Sequence, residues 1–127
     1  MSKFFLEQRF HFDAAHHLVG YDGKCANVHG HRWRVDVRIS GTMLNGIGVL
    51  IDFKDLRQLV EPILPDHKNL NDLPSFGVAN PTAENLASYF YSILEPVFPE
   101  GVQLESVRVW ETPEACACVE RGCTCGC

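Results

Sequence analysis

The chain has 127 residues, of which 46% are hydrophobic, and carries a formal net charge of −5 at pH 7. This size suits one domain with a core of its own, and the acidic balance argues against nucleic acid held by basic side chains. The first residues lack the apolar core of a signal peptide, and no segment approaches the length of a membrane span. We therefore expect a cytoplasmic protein that does not bind membranes.

Two segments near the start alternate apolar and polar side chains, which is typical of half-buried strands. The apolar set of residues 4–13 is Phe4, Leu6, Phe10 and Phe12. In residues 31–40 the alternation puts His31 on the same face as Trp33 and Val35. The two segments predict an antiparallel pair with one covered face, and Trp33 is expected in the core.

Two amphipathic helices are predicted next. Asp52 can cap a helix over residues 53–64 that shortens or bends near Pro62. Thr82 can cap a second helix, which Pro96 ends.

The remaining segments complete the predicted fold. Residues 66–81 form a polar stretch whose length is typical of a functional loop or of one with short structure of its own. Residues 102–111 and 115–120 are predicted strands. The order ββααββ predicts an α+β fold, a four-stranded antiparallel sheet with both helices on one face. The free face and edges of such a sheet need a partner.

Three histidines, His16, His29 and His31, stand at the facing ends of the first two strands, so a hairpin would bring them to one end of the sheet. Three imidazoles are the ligand set of a catalytic zinc with an open fourth position. Two alternatives remain from spacing alone: hydrogen-bonded structural histidines, or a closed zinc site with Cys25 as fourth ligand. Parity does not decide between His16 and its neighbour His17.

Cys25 has a second interpretation, as a nucleophile or base close to positive charge. Asp66 and His67 could supply an imidazole whose tautomer a carboxylate fixes, although such a pair in a polar loop, taken alone, is more often a solvated turn. Glu111, taken alone, is a surface charge at a strand end.

Six sequence blocks resemble, in order, those of the 6-pyruvoyltetrahydropterin synthase family over about residues 4–122. The blocks are FDAAH at 12–16, CANVHGH at 25–31, IDF at 51–53, DHKNLN at 66–71, NPTAEN at 80–85 and WET at 110–112. Six ordered blocks are more specific than the histidine pattern alone.

The resemblance implies roles for individual residues. The implied zinc ligands are His16, His29 and His31. The implied catalytic thiol and its relay partners are Cys25, Asp66 and His67. The implied substrate contacts are Glu111, which would pair with the amino edge of a pterin, and Thr82.

The resemblance also implies the tunnelling fold, in which sheets of several subunits join into a barrel, and a hexamer of two trimers with active sites between subunits. The three-residue spacer between Cys25 and His29 resembles the bacterial 6-carboxytetrahydropterin synthases of queuosine biosynthesis. That activity is a zinc-dependent lyase reaction that converts 7,8-dihydroneopterin triphosphate to 6-carboxy-5,6,7,8-tetrahydropterin, acetaldehyde and triphosphate. The alternatives are 6-pyruvoyltetrahydropterin formation and a pterin- or zinc-binding module without turnover.

The C-terminus departs from the family pattern. We divide the chain into a synthase domain, 1–122, and a Cys-rich extension, 123–127. The five cysteines near the end are Cys116, Cys118, Cys123, Cys125 and Cys127. They are compatible with binding of a soft metal, with a redox pair, or with a tail that has no role.

Overall fold

The computed structural model describes residues 2–122. Its strands are β1 (Phe4–His16), β2 (His29–Gly41), β3 (Lys68–Asn69), β4 (Gln103–Thr112) and β5 (Ala115–Glu120). Its α-helices are α1 (Phe53–Val60) and α2 (Ala83–Leu94), and short 3-10 turns lie in several of the connections.

A long antiparallel hairpin of β1 and β2 forms the centre of the sheet. Its register pairs Phe12 with Trp33 and continues until His16 lies opposite His29. Each strand is three residues longer than its alternating pattern, 4–13 or 31–40, so the hairpin carries its hydrogen-bonded ladder up to the histidines. The imidazoles therefore project from regular strands.

The sheet has five strands in the order β3-β1-β2-β4-β5, one more than the four predicted. The additional strand, β3, pairs in parallel with the end of β1, with Ala14 opposite Lys68 and Ala15 opposite Asn69. Because β3 is two residues long, no periodicity could reveal it. The other strand pairs are antiparallel, as predicted.

The two helices begin at the predicted capping residues. An Asp52 carboxylate oxygen accepts the backbone N–H of Lys54 at 2.8 Å. The Thr82 hydroxyl accepts that of Asn85 at 3.1 Å. Helix α1 ends at Val60 and continues as a 3-10 turn that contains Pro62, because a proline lacks the N–H that an α-helix needs.

Both helices pack on one face of the sheet. The strands contribute the fully buried side chains of Trp33, Val35, Val37, Ile39, Val107 and Val109. The helices contribute Leu56, Val60, Leu86, Ala87, Phe90 and Leu94. This single cluster confirms the α+β architecture and the assignment of Trp33 to the core.

A polar network occupies the helix-free face. Asp36 is buried there and accepts hydrogen bonds from the guanidinium of Arg34 at 3.1 and 2.9 Å and from the indole N–H of Trp110 at 2.9 Å. Arg9 adds an ion pair at 3.4 Å. Burial raises the pKa of Asp36, but the bonds from Arg34 and Trp110 and the nearby positive charges outweigh it, so the net pKa lies below 3.8.

None of the helices within residues 2–122 combines the length and the apolar character that a membrane crossing needs.

Candidate functional site

The three predicted histidines meet at the end of the helix-covered face, directly above the core. The ring centroids of His16 and His29 are 4.5 Å apart, those of His16 and His31 5.2 Å, and those of His29 and His31 4.9 Å. Trp33 lies beneath them, with its ring centroid 4.9 Å from that of His16. The hairpin register thus brings together the three imidazoles that the sequence singled out.

Backbone carbonyls orient two of the rings. His16 Nδ1 donates to the carbonyl of Pro81 at 2.8 Å, and His29 Nδ1 donates to that of Asn27 at 2.7 Å. A carbonyl can only accept, so each Nδ1 carries the proton and each Nε2 keeps its lone pair. This is the arrangement of metal-ligating histidines.

Glu111 joins the histidines. Its Oε1 lies 3.2 Å from Nε2 of His16 and 3.2 Å from Nε2 of His31. It stands at a β-bulge, since Trp110 pairs with Cys116 and Thr112 with Ala115, and bulges turn a side chain out of the regular alternation. The sequence placed Glu111 at a strand end but did not predict that it touches the imidazoles.

The buried nitrogens of this cluster are unsatisfied. His16 Nε2 and His31 Nε2 are both buried, and neither has a hydrogen-bond partner among the described residues, although Oε1 of Glu111 lies 3.2 Å from each. Burial lowers the pKa of His31, and His16 and His29 lower it further, while Glu111 opposes the shift. A neutral imidazole is the form that binds metals.

The donor set fits a metal ion. One ligand atom from each of His16, His29, His31 and Glu111 can be chosen so that all lie within 4.8 Å of one another. Three imidazoles and a carboxylate suit zinc, and a cation among them would satisfy both orphaned nitrogens. The alternative of ordinary hydrogen-bonded histidines loses support, because Nε2 of His16 and Nε2 of His31 have no hydrogen-bond partner among the described residues.

A cavity of about 430 Å³ opens beside this group, between the ends of β2 and β4. Its lining includes His31 and Glu111 together with the side chains of Arg34, Trp110 and Thr112. The Arg34 guanidinium lies over the Trp110 ring at 4.3 Å, so the wall of the cavity is both aromatic and cationic. The carboxylate of Glu111 is therefore accessible from the cavity as well as from the histidines.

Asp66 and His67 form a second group. Asp66 accepts the backbone N–H of Asp13 at 2.8 Å and lies 3.0 Å from His67 Nδ1. The hydrogen bond from Asp13, followed by the effects of His67, holds the pKa of Asp66 below 3.8, and the side chain of Asp66 is 52% exposed. His67 has a φ of 58°, and its side chain is 81% exposed.

His67 of this second group and His31 of the histidine group line the same shallow depression, together with Arg32 and Lys68. The strand β3 that follows His67 pairs with β1 just before His16, which fixes this proximity.

Cys25 lies apart from both groups. It occupies a 3-10 turn, Lys24–Ala26, as a partly buried free thiol, and its carbonyl accepts the N–H of Leu18 at 2.7 Å. Among the described residues, Glu111 and not Cys25 completes the group around the histidines. The closed site with Cys25 as fourth ligand is therefore not formed in this geometry.

Thr82 and two asparagines hold the backbone segments next to the histidine cluster. Thr82 caps α2 and immediately follows Pro81, whose carbonyl orients His16. Thr82 does not line the cavity beside Glu111. Asn80 brackets the backbone of Val19 with hydrogen bonds of 2.8 and 2.9 Å. Asn71 brackets that of His17 in the same way, at 2.9 and 3.0 Å. Neither asparagine has a sequence signal of its own that predicts this role.

Comparison with known proteins decides the family. The sequence profile of the family described as 6-pyruvoyl tetrahydropterin synthase matches residues 5–122. The chain belongs to this family. It is 33% identical to the 6-carboxy-5,6,7,8-tetrahydropterin synthase of Haemophilus influenzae, over 87% of this chain and 94% of that protein. It is 34% identical to the human 6-pyruvoyl tetrahydrobiopterin synthase, over 84% of each chain.

The fold is also that of the 6-pyruvoyl tetrahydropterin synthases. The structure superposes on the Caenorhabditis elegans 6-pyruvoyl tetrahydropterin synthase with a TM-score of 0.85 and 28% identity, covering 96% of this chain and 98% of that one. The family match ends at residue 122, so the predicted extension, 123–127, lies outside the match as well as outside the described residues.

Proposed function

We propose that the protein is a zinc-dependent lyase that converts 7,8-dihydroneopterin triphosphate and water to 6-carboxy-5,6,7,8-tetrahydropterin, acetaldehyde and triphosphate, a step of the 7-deazaguanine and queuosine pathway. The observation that carries the proposal is the cluster of three imidazoles, in which Nε2 of His16 and Nε2 of His31 are buried without a hydrogen-bond partner among the described residues. The cluster borders the cavity that His31 and Glu111 line. The three-residue spacer between Cys25 and His29 favours the carboxy product.

His16, His29 and His31 would hold the zinc, which supplies Lewis acidity toward the hydroxyl groups of the substrate side chain when bound. Glu111 would pair with the amino and N3 hydrogens of the pterin from the cavity side, where two parallel hydrogen bonds suit a carboxylate. Arg34 and Trp110 line the same cavity and provide a flat wall. Thr82 would contribute indirectly, through the position of Pro81.

Cys25, as a thiolate, would remove a proton from the substrate side chain, and His67 would return one with its Nδ1 held by Asp66. Within one protomer, the Cys25 sulfur does not belong to the cluster that Asp66 and His67 form with Asp13. We therefore propose that a second subunit supplies part of the set, in a hexamer of two trimers whose sheets join into a barrel. The short edge strand β3 and the helix-free face are compatible with such joining.

The test is to incubate the zinc-loaded protein with 7,8-dihydroneopterin triphosphate and identify products by mass spectrometry. Release of 6-carboxy-5,6,7,8-tetrahydropterin together with acetaldehyde supports the proposal. Accumulation of 6-pyruvoyltetrahydropterin would instead assign the second candidate, which the likeness to the human enzyme favours. Tight pterin binding without any product would indicate a binding module.

A further inference from the structure

Gly30 stands between His29 and His31 in strand β2, where the backbone does not require a glycine. It pairs with Ala15 in the regular ladder of the hairpin, and its φ lies outside the left-handed region that favours glycine. Apart from its chain neighbours, a Cβ atom added at Gly30 would meet only the carbonyl oxygen of Ala14 among the described residues, at 3.8 Å. That distance is an ordinary van der Waals contact, so the protomer itself has room for a side chain here.

The other glycine at an end of β2 shows the contrast. A Cβ atom added at Gly41 would overlap the side chain of Leu50 and the carbonyl oxygen of Gly101, so packing explains why this residue has no side chain. No such neighbour among the described residues explains Gly30. A glycine inside a strand costs conformational entropy and packing, and where the fold does not need it, it marks a place that a ligand or another backbone approaches closely.

Two openings of the surface meet at Gly30. The cavity beside Glu111 and the shallow depression that contains Lys68 are both lined by Gly30, His31 and Arg32. A molecule that occupied both openings would have to pass over the position that has no side chain. An extended ligand could therefore run from Glu111 to Lys68 across the end of β2.

The depression carries an excess of positive charge. Its permanently charged lining residues are Arg32, Lys68 and Asp13, and the imidazole of His67 can add to the positive side. Arg32 is 3.8 Å from the Asp13 carboxylate, a long ion pair, and its side chain is 68% exposed. In a chain with a net charge of −5, this local excess favours an anionic group, and phosphate oxygens accept hydrogen bonds readily from Arg and Lys.

We propose that the substrate crosses the end of β2 at Gly30, with its pterin ring beside Glu111 and its triphosphate in the depression against Arg32 and Lys68. This inference rests on the proposed function, because it takes dihydroneopterin triphosphate as the ligand. The side chain that joins ring and triphosphate would lie over Gly30 and beside His31, one of the proposed zinc ligands. Gly30 thereby determines specificity, since any side chain at this position would occupy the path of the phosphate chain.

The experiment measures equilibrium binding of two pterins to the full-length, zinc-loaded protein. The ligands are neopterin triphosphate and neopterin, which are fluorescent and share one ring. Because both are oxidised and differ from the reduced substrate, their binding is measured apart from turnover. We expect the wild-type protein to bind the triphosphate at least about tenfold more tightly than neopterin, as ionic hydrogen bonds to the phosphates should provide.

Gly30→Val should remove most of this preference and leave the affinity for neopterin unchanged. Arg32→Gln and Lys68→Gln should each weaken binding of the triphosphate by about tenfold, again without an effect on neopterin. Arg38→Gln is the matched control, because Arg38 lies on the same strand but stacks on the Phe5 ring at 4.2 Å and lines neither opening, so this variant should keep the preference.

Zinc content after each titration and near-UV circular dichroism establish that the variants are intact. Should Gly30→Val lose zinc, Gly30→Ala replaces it, since its single methyl group meets only an ordinary contact. Equal affinity of the wild-type protein for both pterins would overturn the inference, as would an undiminished preference in the Gly30 variant or in both charge variants. A preserved preference without any product in the turnover assay would instead overturn the proposed lyase activity.

Discussion

His16 Nδ1 donates a 2.8 Å hydrogen bond to the carbonyl of Pro81, a residue 65 positions later in the chain. The bond fixes the imidazole so that Nε2 faces His31 and Glu111, and it links the end of β1 to the start of α2. The family's NPTAEN block at 80–85 therefore serves the histidine cluster through its backbone.

Replacing His16 by Ala should weaken zinc binding. The substitution removes the buried imidazole and leaves two imidazoles with the carboxylate of Glu111, a set that can hold zinc but has one ligand fewer. We expect the zinc content after gel filtration against a chelator to fall well below that of the wild-type protein, measured by mass spectrometry of the metal. His17→Ala is the matched control, since that neighbouring ring is outside the group and the variant should keep its zinc. Equal metal content in both variants would contradict the assignment.

Replacing Cys25 by Ala should separate catalysis from metal binding. The thiol is not in the group of the histidines, so the zinc content should stay at the wild-type level. Turnover of 7,8-dihydroneopterin triphosphate should fall by about 10²–10⁴-fold, the usual contribution of a positioned acid or base. Cys116→Ala, in the edge strand β5, is the control and should keep the wild-type turnover. Parallel loss of zinc in Cys25→Ala would instead favour the closed site with Cys25 as a ligand.

The metal-free protein should lose stability as the pH falls below about 6.5, the usual pKa of histidine. Burial lowers the pKa of His31 in the folded state below its value in the unfolded chain. Between the folded pKa of His31 and pH 6.5, the unfolded chain therefore binds more protons than the folded protein. The contribution of His31 to the free energy of unfolding is complete above pH 6.5 and is lost towards the lower folded pKa.

Urea unfolding in the presence of a chelator at pH 7.5, 6.5 and 5.5 measures this dependence, and His31→Gln should flatten it. A variant that follows the wild-type curve would show that the sensitivity arises elsewhere.

Replacing Asp36 by Asn should destabilise the fold by about 1–3 kcal/mol, because it weakens the bonds from Arg34 and Trp110 at a buried site. The loss should shrink as the pH falls below 3.8, where the wild-type carboxylate also becomes protonated. Glu61→Gln is the control, since its exposed pair with Arg57 should change the free energy of unfolding by less than about 0.5 kcal/mol. Urea denaturation at pH 7 and pH 3 gives both comparisons.

The histidine cluster could be predicted because it depends on the local alternation of a hairpin. The pattern from His31 to Trp33 fixed the face, and the antiparallel pairing fixed the neighbours. Glu111 could not be placed by the same reasoning, because its direction depends on a bulge in the pairing of β4 with β5.

The positions of Cys25 and Asp66 were equally out of reach of the pattern. Cys25 lies in a single 3-10 turn, and the Asp66 carboxylate accepts a hydrogen bond from the backbone N–H of Asp13, 53 residues away. Neither position leaves a periodic signal. Strand β3 escaped prediction for the same reason, since its pairing arises from a contact between distant segments.

That small strand has a mechanical consequence. It joins the loop of Asp66 and His67 to β1, the strand that ends in His16, and the N–H of His67 donates to the carbonyl of Asp13 on the same strand. A shift of β1 along its axis would therefore carry the carboxylate–imidazole pair and the His16 ring in the same direction and leave the distance between them almost unchanged. The spacing of these polar groups would thus be preserved under such a shift.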